Sequence, residues 1–153
     1  MDDIPPARLS RGKGLVVRFG IALALSASML FAGTPAVASP ISANALSTCN
    51  NRRSYIGADV TSYGTNVSCV LRRGNTGKGV FQLQVTMNVC YDYVLAIQGV
   101  YPLTADSQFG PSTEKAFRAV QRAVGVTDDG VYGPTTREAM LHQGSNGTGC
   151  KWV

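Results

Sequence analysis

Histidine is nearly absent from the sequence, and this shortage limits the catalytic chemistry open to the chain. The 153 residues include one histidine, His142, and one tryptophan. A site with several histidine ligands cannot be built, and no His-Glu-x-x-His motif occurs. A pair of carboxylates could still act together, and the candidates are Asp59, Asp92, Asp106, Glu114, Asp128, Asp129 and Glu138. Several of these belong to predicted turns and helix starts, where acidic residues have structural roles. We therefore expect no enzyme active site.

Charge is also sparse. Asp, Glu, Lys and Arg make up 15% of the chain, and the net charge is +5. The basic doublets are Arg52-Arg53 and Arg72-Arg73, and they lack the interleaved aromatic residues of a base-stacking surface. The composition therefore predicts no binding to nucleic acid.

The sequence lacks an apolar run long enough for a typical membrane-spanning helix, which needs about 20 residues. Its apolar stretch "FGIALALSASMLFAG" follows a positively charged leader and precedes the small-residue pattern "AVA" at 36–38. This layout is typical of a secretory signal peptide, residues 1–38, cleaved after Ala38. We expect a secreted, extracellular or cell-wall-associated protein with no stable membrane insertion after cleavage.

Cysteine is limited to four residues, all beyond the predicted cleavage site: Cys49, Cys69, Cys90 and Cys150. None of them forms the short pairs that structural zinc sites use, so we expect no metal and no cofactor. An even number in a small exported chain predicts two disulfides. Four cysteines allow three pairings. Because the ends of a compact domain often lie close together, we favour Cys69 with Cys150 and Cys49 with Cys90.

The mature chain divides by composition. Residues 39–69 are rich in Ser, Thr, Asn and Gly without a helical period, which predicts a loop-rich arm with at most a short hairpin. Residues 70–144 carry helical patterns, and 145–153 form a tail that contains Cys150. The expected fold is mainly α, a compact three-helix domain with a disulfide-tied N-terminal arm.

Apolar periodicity and turn residues place the three helices. The first covers 78–89, with an apolar face formed by Val80, Leu83, Met87 and Tyr91. The second begins at Pro111 and ends before Gly125, with an apolar face formed by Ala116, Phe117, Val120 and Val124. The third follows Gly133-Pro134 and continues towards Gly144 with Ala139, Met140 and Leu141.

A short repeat marks the entry to the second and third helices. "DSQFGPSTEKA", Asp106–Ala116, returns as "DGVYGPTTREA", Asp129–Ala139. Both copies keep Asp, Gly, Pro, Thr and Ala, and an aromatic residue precedes each Gly-Pro. Asp accepts backbone N–H bonds in tight turns, and Pro fixes the first helical φ. We expect a positive φ at Gly133, which only glycine adopts easily.

These motifs, with "LRRGNTGKGVFQLQ" before them, resemble the three-helix peptidoglycan-binding domain found in bacterial cell-wall hydrolases. The likeness covers about 70–144 and falls on Leu71, Arg73, Gly74, Leu83, Gln84, Asp106, Phe109, Gly110, Thr113, Gln121, Asp129, Gly130, Gly133 and Thr136. Three positions depart from the family pattern. Ser107 replaces a turn glycine, Val120 replaces a core Phe, and Arg137 stands where the family often has Trp.

The resemblance implies non-catalytic binding to peptidoglycan or its fragments. The two turn loops could frame a shallow groove, with candidate ligand-binding residues Asp106, Phe109, Asp129, Tyr132 and Arg137. In the alternative interpretation both aromatic rings are buried plugs and both aspartates serve only their turns. A different function also stays open: a small disulfide-stapled secreted interaction factor or inhibitor that uses the arm, with Tyr55 and Tyr63, to contact an unknown protein partner.

Overall fold

The computed structural model of the protein describes residues 46–153. The predicted signal peptide, 1–38, and the first residues of the arm lie outside the described residues. No helix within 46–153 has the length and apolar character needed to cross a membrane.

The arm contains a β-hairpin. Strands β1 (Asn51–Tyr55) and β2 (Ala58–Ser62) pair antiparallel, with Tyr55 opposite Ala58. The two turn residues, Ile56 and Gly57, have φ of 50° and 76°, which is the conformation that matches the twist of a tight hairpin. Strand β2 is largely buried and packs against the first helix, so the arm is part of the folded body.

Four helices follow: α1 (Lys78–Cys90), α2 (Asp92–Ile97), α3 (Pro111–Ala123) and α4 (Pro134–Ala139). The prediction of a helical domain is confirmed, and the apolar faces predicted for α1 and α3 lie in the core, with Val124 half-buried. Helix α2 was not predicted, and the third predicted helix is shorter than expected. It ends at Ala139 because Met140 is extended, with φ −112° and ψ 154°. The next residues form strand β3 (His142–Gln143), paired with β4 (Cys150–Lys151).

The predicted disulfide pairing is wrong, although the prediction of two disulfides is confirmed. Cys49 pairs with Cys69, and Cys90 pairs with Cys150. The backbone explains both bonds. Around the first, the N–H of Cys49 donates to the carbonyl of Val70 at 3.0 Å, which places Cys49 beside Cys69. Around the second, β4 follows β3 and carries Cys150 to the C-terminal end of α1.

The predicted positive φ belongs to a different glycine of the second turn. Gly133 is extended, with φ −153°, so that expectation is wrong. Gly130 has φ 75°, and its counterpart in the first turn, Ser107, has φ 65°. The first turn therefore holds a non-glycine residue in a left-handed conformation, which costs about 1–2 kcal/mol.

We predict that Gly130→Ala lowers the free energy of unfolding by about 1–2 kcal/mol. An added Cβ would adopt the unfavourable φ and lie 3.1 Å from the guanidinium of Arg118. Urea unfolding measures the change. Gly133→Ala is the matched control, since its Cβ would meet only Val70 Cγ1 at 3.9 Å. Equal losses in the two variants would contradict the assignment, and Ser107→Gly should change stability in the opposite direction to Gly130→Ala.

Candidate ligand-binding groove

A buried glutamine from α1 organises the first helix-entry turn. Gln84 is fully buried. Its Nε2 donates to Asp106 Oδ1 at 2.8 Å, to the carbonyl of Gln108 at 3.0 Å and to Thr113 Oγ1 at 3.1 Å. Its Oε1 accepts the backbone N–H of Ser107 at 3.0 Å. One side chain therefore satisfies polar groups on both sides of the turn, which is required when such groups are buried.

The second turn repeats this network around Gln121 of α3, which is also fully buried. Its Nε2 donates to Asp129 Oδ1 at 2.8 Å, to the carbonyl of Val131 at 3.2 Å and to Thr136 Oγ1 at 3.4 Å. Its Oε1 accepts the N–H of Gly130 at 2.8 Å. The sequence repeat is thus a structural repeat, and each copy depends on a glutamine from the preceding long helix.

Both predicted aspartates are exposed and shape their turns. Asp106 Oδ1 accepts the N–H of Gln108 at 2.9 Å, and Asp129 Oδ1 accepts the N–H of Val131 at 2.8 Å. Two hydrogen bonds lower the pKa of the Asp106 carboxyl. The one from Gln84 has the larger effect, and the one from the Gln108 N–H has the smaller effect. Asp106 is therefore charged at neutral pH. Within 46–153, its second carboxylate oxygen accepts no hydrogen bond.

The two predicted aromatic residues lie in the core. Phe109 is 1% exposed and Tyr132 is 0% exposed. Their rings flank Phe117, each with its centroid 6.1 Å from that of Phe117, and burial raises the pKa of Tyr132 to about 12. Of the two interpretations left open by the sequence, the structure shows buried plugs, and neither ring offers a face for a ligand to pack on.

Arg137, the fifth candidate, is covered by the arm. Its side chain is 9% exposed. Nη1 donates to the carbonyl of Val67 at 3.0 Å, and Nη2 pairs with Glu138 at 2.8 Å. The position where the family often has Trp is therefore used here for packing against the N-terminal arm.

The segment 70–77 joins the two turns into one surface. Leu71 and Tyr132 exchange backbone hydrogen bonds at 2.8 and 3.0 Å. Further along, the N–H of Gly74 donates to the carbonyl of Phe109 at 3.0 Å, and the Phe109 N–H donates to the carbonyl of Asn75 at 2.9 Å. This segment fixes the first turn against the second.

Three adjoining depressions surround the first turn, and we call them together the first-turn groove. The first, about 230 Å³, runs from Arg73 to Gly110. The second, about 290 Å³, shares Gln108 and Gly110 with it and adds Asp106. The third, about 240 Å³, shares Leu103, Thr104 and Ser112 with the second and extends the groove along the 99–104 loop. The exposed or half-buried polar and aromatic side chains along the groove are Arg73, Asn75, Thr76, Gln108, Asp106, Thr104, Ser112 and Tyr101.

The second turn has an equivalent but smaller depression of about 130 Å³. Six of its positions correspond in the repeat to positions that line the second depression of the first turn: Asp129, Val131, Gly133, Pro134, Thr135 and Thr136. Val131 replaces Gln108, so this copy has one fewer polar side chain. The first turn therefore offers the larger and more polar surface.

Of the accessible side chains along the groove, Asp106 was predicted from the sequence to bind a ligand. The others were not predicted: Arg73, Asn75, Thr76, Tyr101, Thr104, Gln108 and Ser112. Tyr101 is 50% exposed and comes from the loop after α2, a helix that was not predicted. Gln108 lies inside the repeat, but its counterpart Val131 is apolar, so comparison of the two copies drew attention away from it.

His142 lies away from the groove and is buried. Its Nε2 is 3.0 Å from the carbonyl oxygen of Arg137, and its ring packs edge-on against Tyr132. Burial lowers the pKa of His142, so the ring is neutral at pH 7. Over residues 46–153, no group of three or more His, Cys, Asp and Glu side chains is arranged to hold a metal ion.

Comparisons with known proteins agree with the domain resemblance. Residues 76–140 match the family model of the putative peptidoglycan binding domain. This match confirms the resemblance inferred from the sequence and supports a binding module. A search of the curated proteins found no match.

A solved structure is also similar in sequence: a peptidoglycan-binding protein from Clostridioides difficile in complex with glutamine hydroxamate. The identity is 30% over an alignment that covers 56% of this chain and 52% of that one, with a TM-score of 0.38. The chain therefore spans about half the length of that protein.

Proposed function

We propose that the protein is a secreted, non-catalytic module that binds bacterial cell-wall peptidoglycan through the first-turn groove. The observation that carries the proposal is the continuous groove, lined by polar side chains and formed mainly by residues 76–140, which match the peptidoglycan-binding family. Two disulfides are consistent with an extracellular or cell-wall location.

The groove suits reversible binding. It is shallow and open, so it buries little ligand surface, and modest affinity is expected. Its side chains bind by hydrogen bonds and charge, and its rim at Tyr101 adds one exposed ring. The sequence contains a single histidine, and that residue is buried, which supports a role in attachment without bond cleavage.

Gln108 is the single position best suited to testing this site. Its side chain lines two of the depressions, is exposed, and takes no part in the hydrogen bonds found within 46–153. We predict that Gln108→Ala weakens binding to purified insoluble cell wall by about threefold to tenfold, the effect of losing one hydrogen bond. Sedimentation with increasing amounts of wall measures the affinity.

Val131→Ala is the matched control, because it occupies the same repeat position in the second turn. It should bind the wall like the parent protein, and both variants should melt at the parent's temperature. Equal binding by Gln108→Ala and the parent would contradict the groove assignment. A parent protein that stays in the supernatant would contradict the proposed function and would favour an interaction factor that acts through the arm. Release of soluble sugar or peptide from the wall would contradict the non-catalytic role.

A further inference from the structure

We propose that the first-turn groove recognises the charged peptide stems of peptidoglycan in preference to the sugar rings of its glycan strands. This inference rests on the proposed function and names the part of the polymer that the groove binds. Two charges lie along the groove, and the aromatic rings of both turns are buried.

One end of the groove presents a weakly held cation. The Arg73 side chain is 63% exposed, and its Nη1 lies 3.5 Å from Glu114 Oε2. Glu114 already holds Arg118 through its other oxygen at 2.9 Å. An exposed, shared ion pair of this length contributes little. Arg73 is therefore able to turn to a ligand carboxylate, which a guanidinium binds with two parallel hydrogen bonds.

The middle of the groove presents an anion. Asp106 is fixed by hydrogen bonds to Oδ1 from Gln84 and from the Gln108 backbone. This arrangement leaves the second oxygen for a ligand ammonium or amide N–H. Gln108 lines both the depression that contains Arg73 and the one that contains Asp106, so a single extended ligand can reach both charges.

Peptide stems match this arrangement better than the glycan does. A stem carries free carboxylates, amide groups and, where it contains a diamino acid, an ammonium group, whereas N-acetylated sugars are uncharged. Sugar rings are recognised well by exposed aromatic faces, but Phe109 and Tyr132 are buried, and Arg137 is covered by the arm. Tyr101, at the outer end of the groove, provides a single exposed ring.

Competition during wall sedimentation tests the proposal. The full mature protein is bound to purified wall and challenged either with a free tetrapeptide stem containing diaminopimelate or with a neutral tetramer of N-acetylglucosamine at the same concentration. We expect the tetrapeptide to release the protein and the sugar to leave it bound. Release by the sugar alone, equal release by both, or release by neither would overturn the inference while the proposed function stands. Failure to sediment with wall at all would overturn the proposed function itself, and the inference with it.

Two matched pairs of variants locate the effect. Arg73→Gln should weaken tetrapeptide competition about fivefold to tenfold, whereas Arg72→Gln removes a neighbouring exposed charge that lines none of the three depressions. Asp106→Asn should weaken it similarly, and Asp129→Asn, which makes the same change in the equivalent network, should weaken it less. Each variant is first checked by thermal melting. Equal effects within either pair would overturn the placement of the stem in the first-turn groove.

Discussion

Phe117→Ala should lower the free energy of unfolding by about 3–5 kcal/mol, the usual cost of emptying a buried phenylalanine site. The Phe117 side chain is 0% exposed and lies between the two aromatic residues of the repeat, Phe109 and Tyr132. Its ring therefore packs against the buried aromatic residue of each turn. Because small domains are stable by only about 5–15 kcal/mol in total, the variant should lose a large part of its stability.

Urea unfolding followed by circular dichroism measures this loss, provided that both disulfides are kept oxidised. Phe81→Ala is the matched control, since Phe81 lies on α1 with 39% exposure and outside the buried core. It should cost much less than Phe117→Ala, in keeping with its partial exposure. If the two variants lose similar stability, the aromatic cluster does not hold the turns as described.

The helices that could be predicted from sequence are those whose apolar residues repeat over several turns. Helices α1 and α3 have 13 residues each, and their buried faces follow the helical period. Helix α2 has six residues and one buried side chain, Leu95, so no period can develop. The end of α4 was misplaced because Met140 is apolar and buried but extended, and burial alone does not distinguish a helix from a strand.

The disulfide pairing and the glycine conformation depended on tertiary contacts that leave no trace in the spacing of residues. Cys49 meets Cys69 because the backbone around Thr48 pairs with Val70, and Cys150 reaches Cys90 because β4 pairs with β3. The positive φ fell on Gly130, where the N–H must point to Gln121 Oε1. The sequence pattern had instead favoured Gly133, the glycine that both copies of the repeat contain, but this residue only has to precede a proline.

The candidate site was predictable in place but not in detail. The repeat located both helix-entry turns, and the structure has grooves there. It could not show that the aromatic residues of the repeat point into the core, because a plug and a ligand platform call for the same residue types. The charged and polar residues that remain exposed, Arg73 and Asp106 among them, are brought together by folding from separate parts of the chain.

The glutamine networks predict a second large effect, this time with two different consequences for binding. Gln84→Met keeps the side-chain volume but removes every hydrogen bond that Gln84 makes within the first turn. The Ser107 N–H loses its acceptor at 3.0 Å, and Asp106 Oδ1 loses the donor at 2.8 Å but keeps the Gln108 N–H at 2.9 Å. Each hydrogen bond of the buried Gln84 side chain contributes about 0.5–1.5 kcal/mol, so losing its four contacts should lower the free energy of unfolding by roughly 3 kcal/mol.

Gln121→Met makes the same change beneath the second turn and should cost a similar amount, since Gln121 forms the same four contacts with the corresponding partners. The two variants should differ in wall binding at a temperature where both remain folded. Gln84→Met removes the hydrogen bonds from Gln84 to Asp106 and to the carbonyl of Gln108, two residues that line the first-turn groove. This variant should therefore bind the wall more weakly than Gln121→Met. Sedimentation with cell wall, corrected for the folded fraction, gives the comparison. Equal binding by two equally folded variants would show that the first turn has no special part in ligand contact, and the groove would then have to be sought elsewhere on the domain.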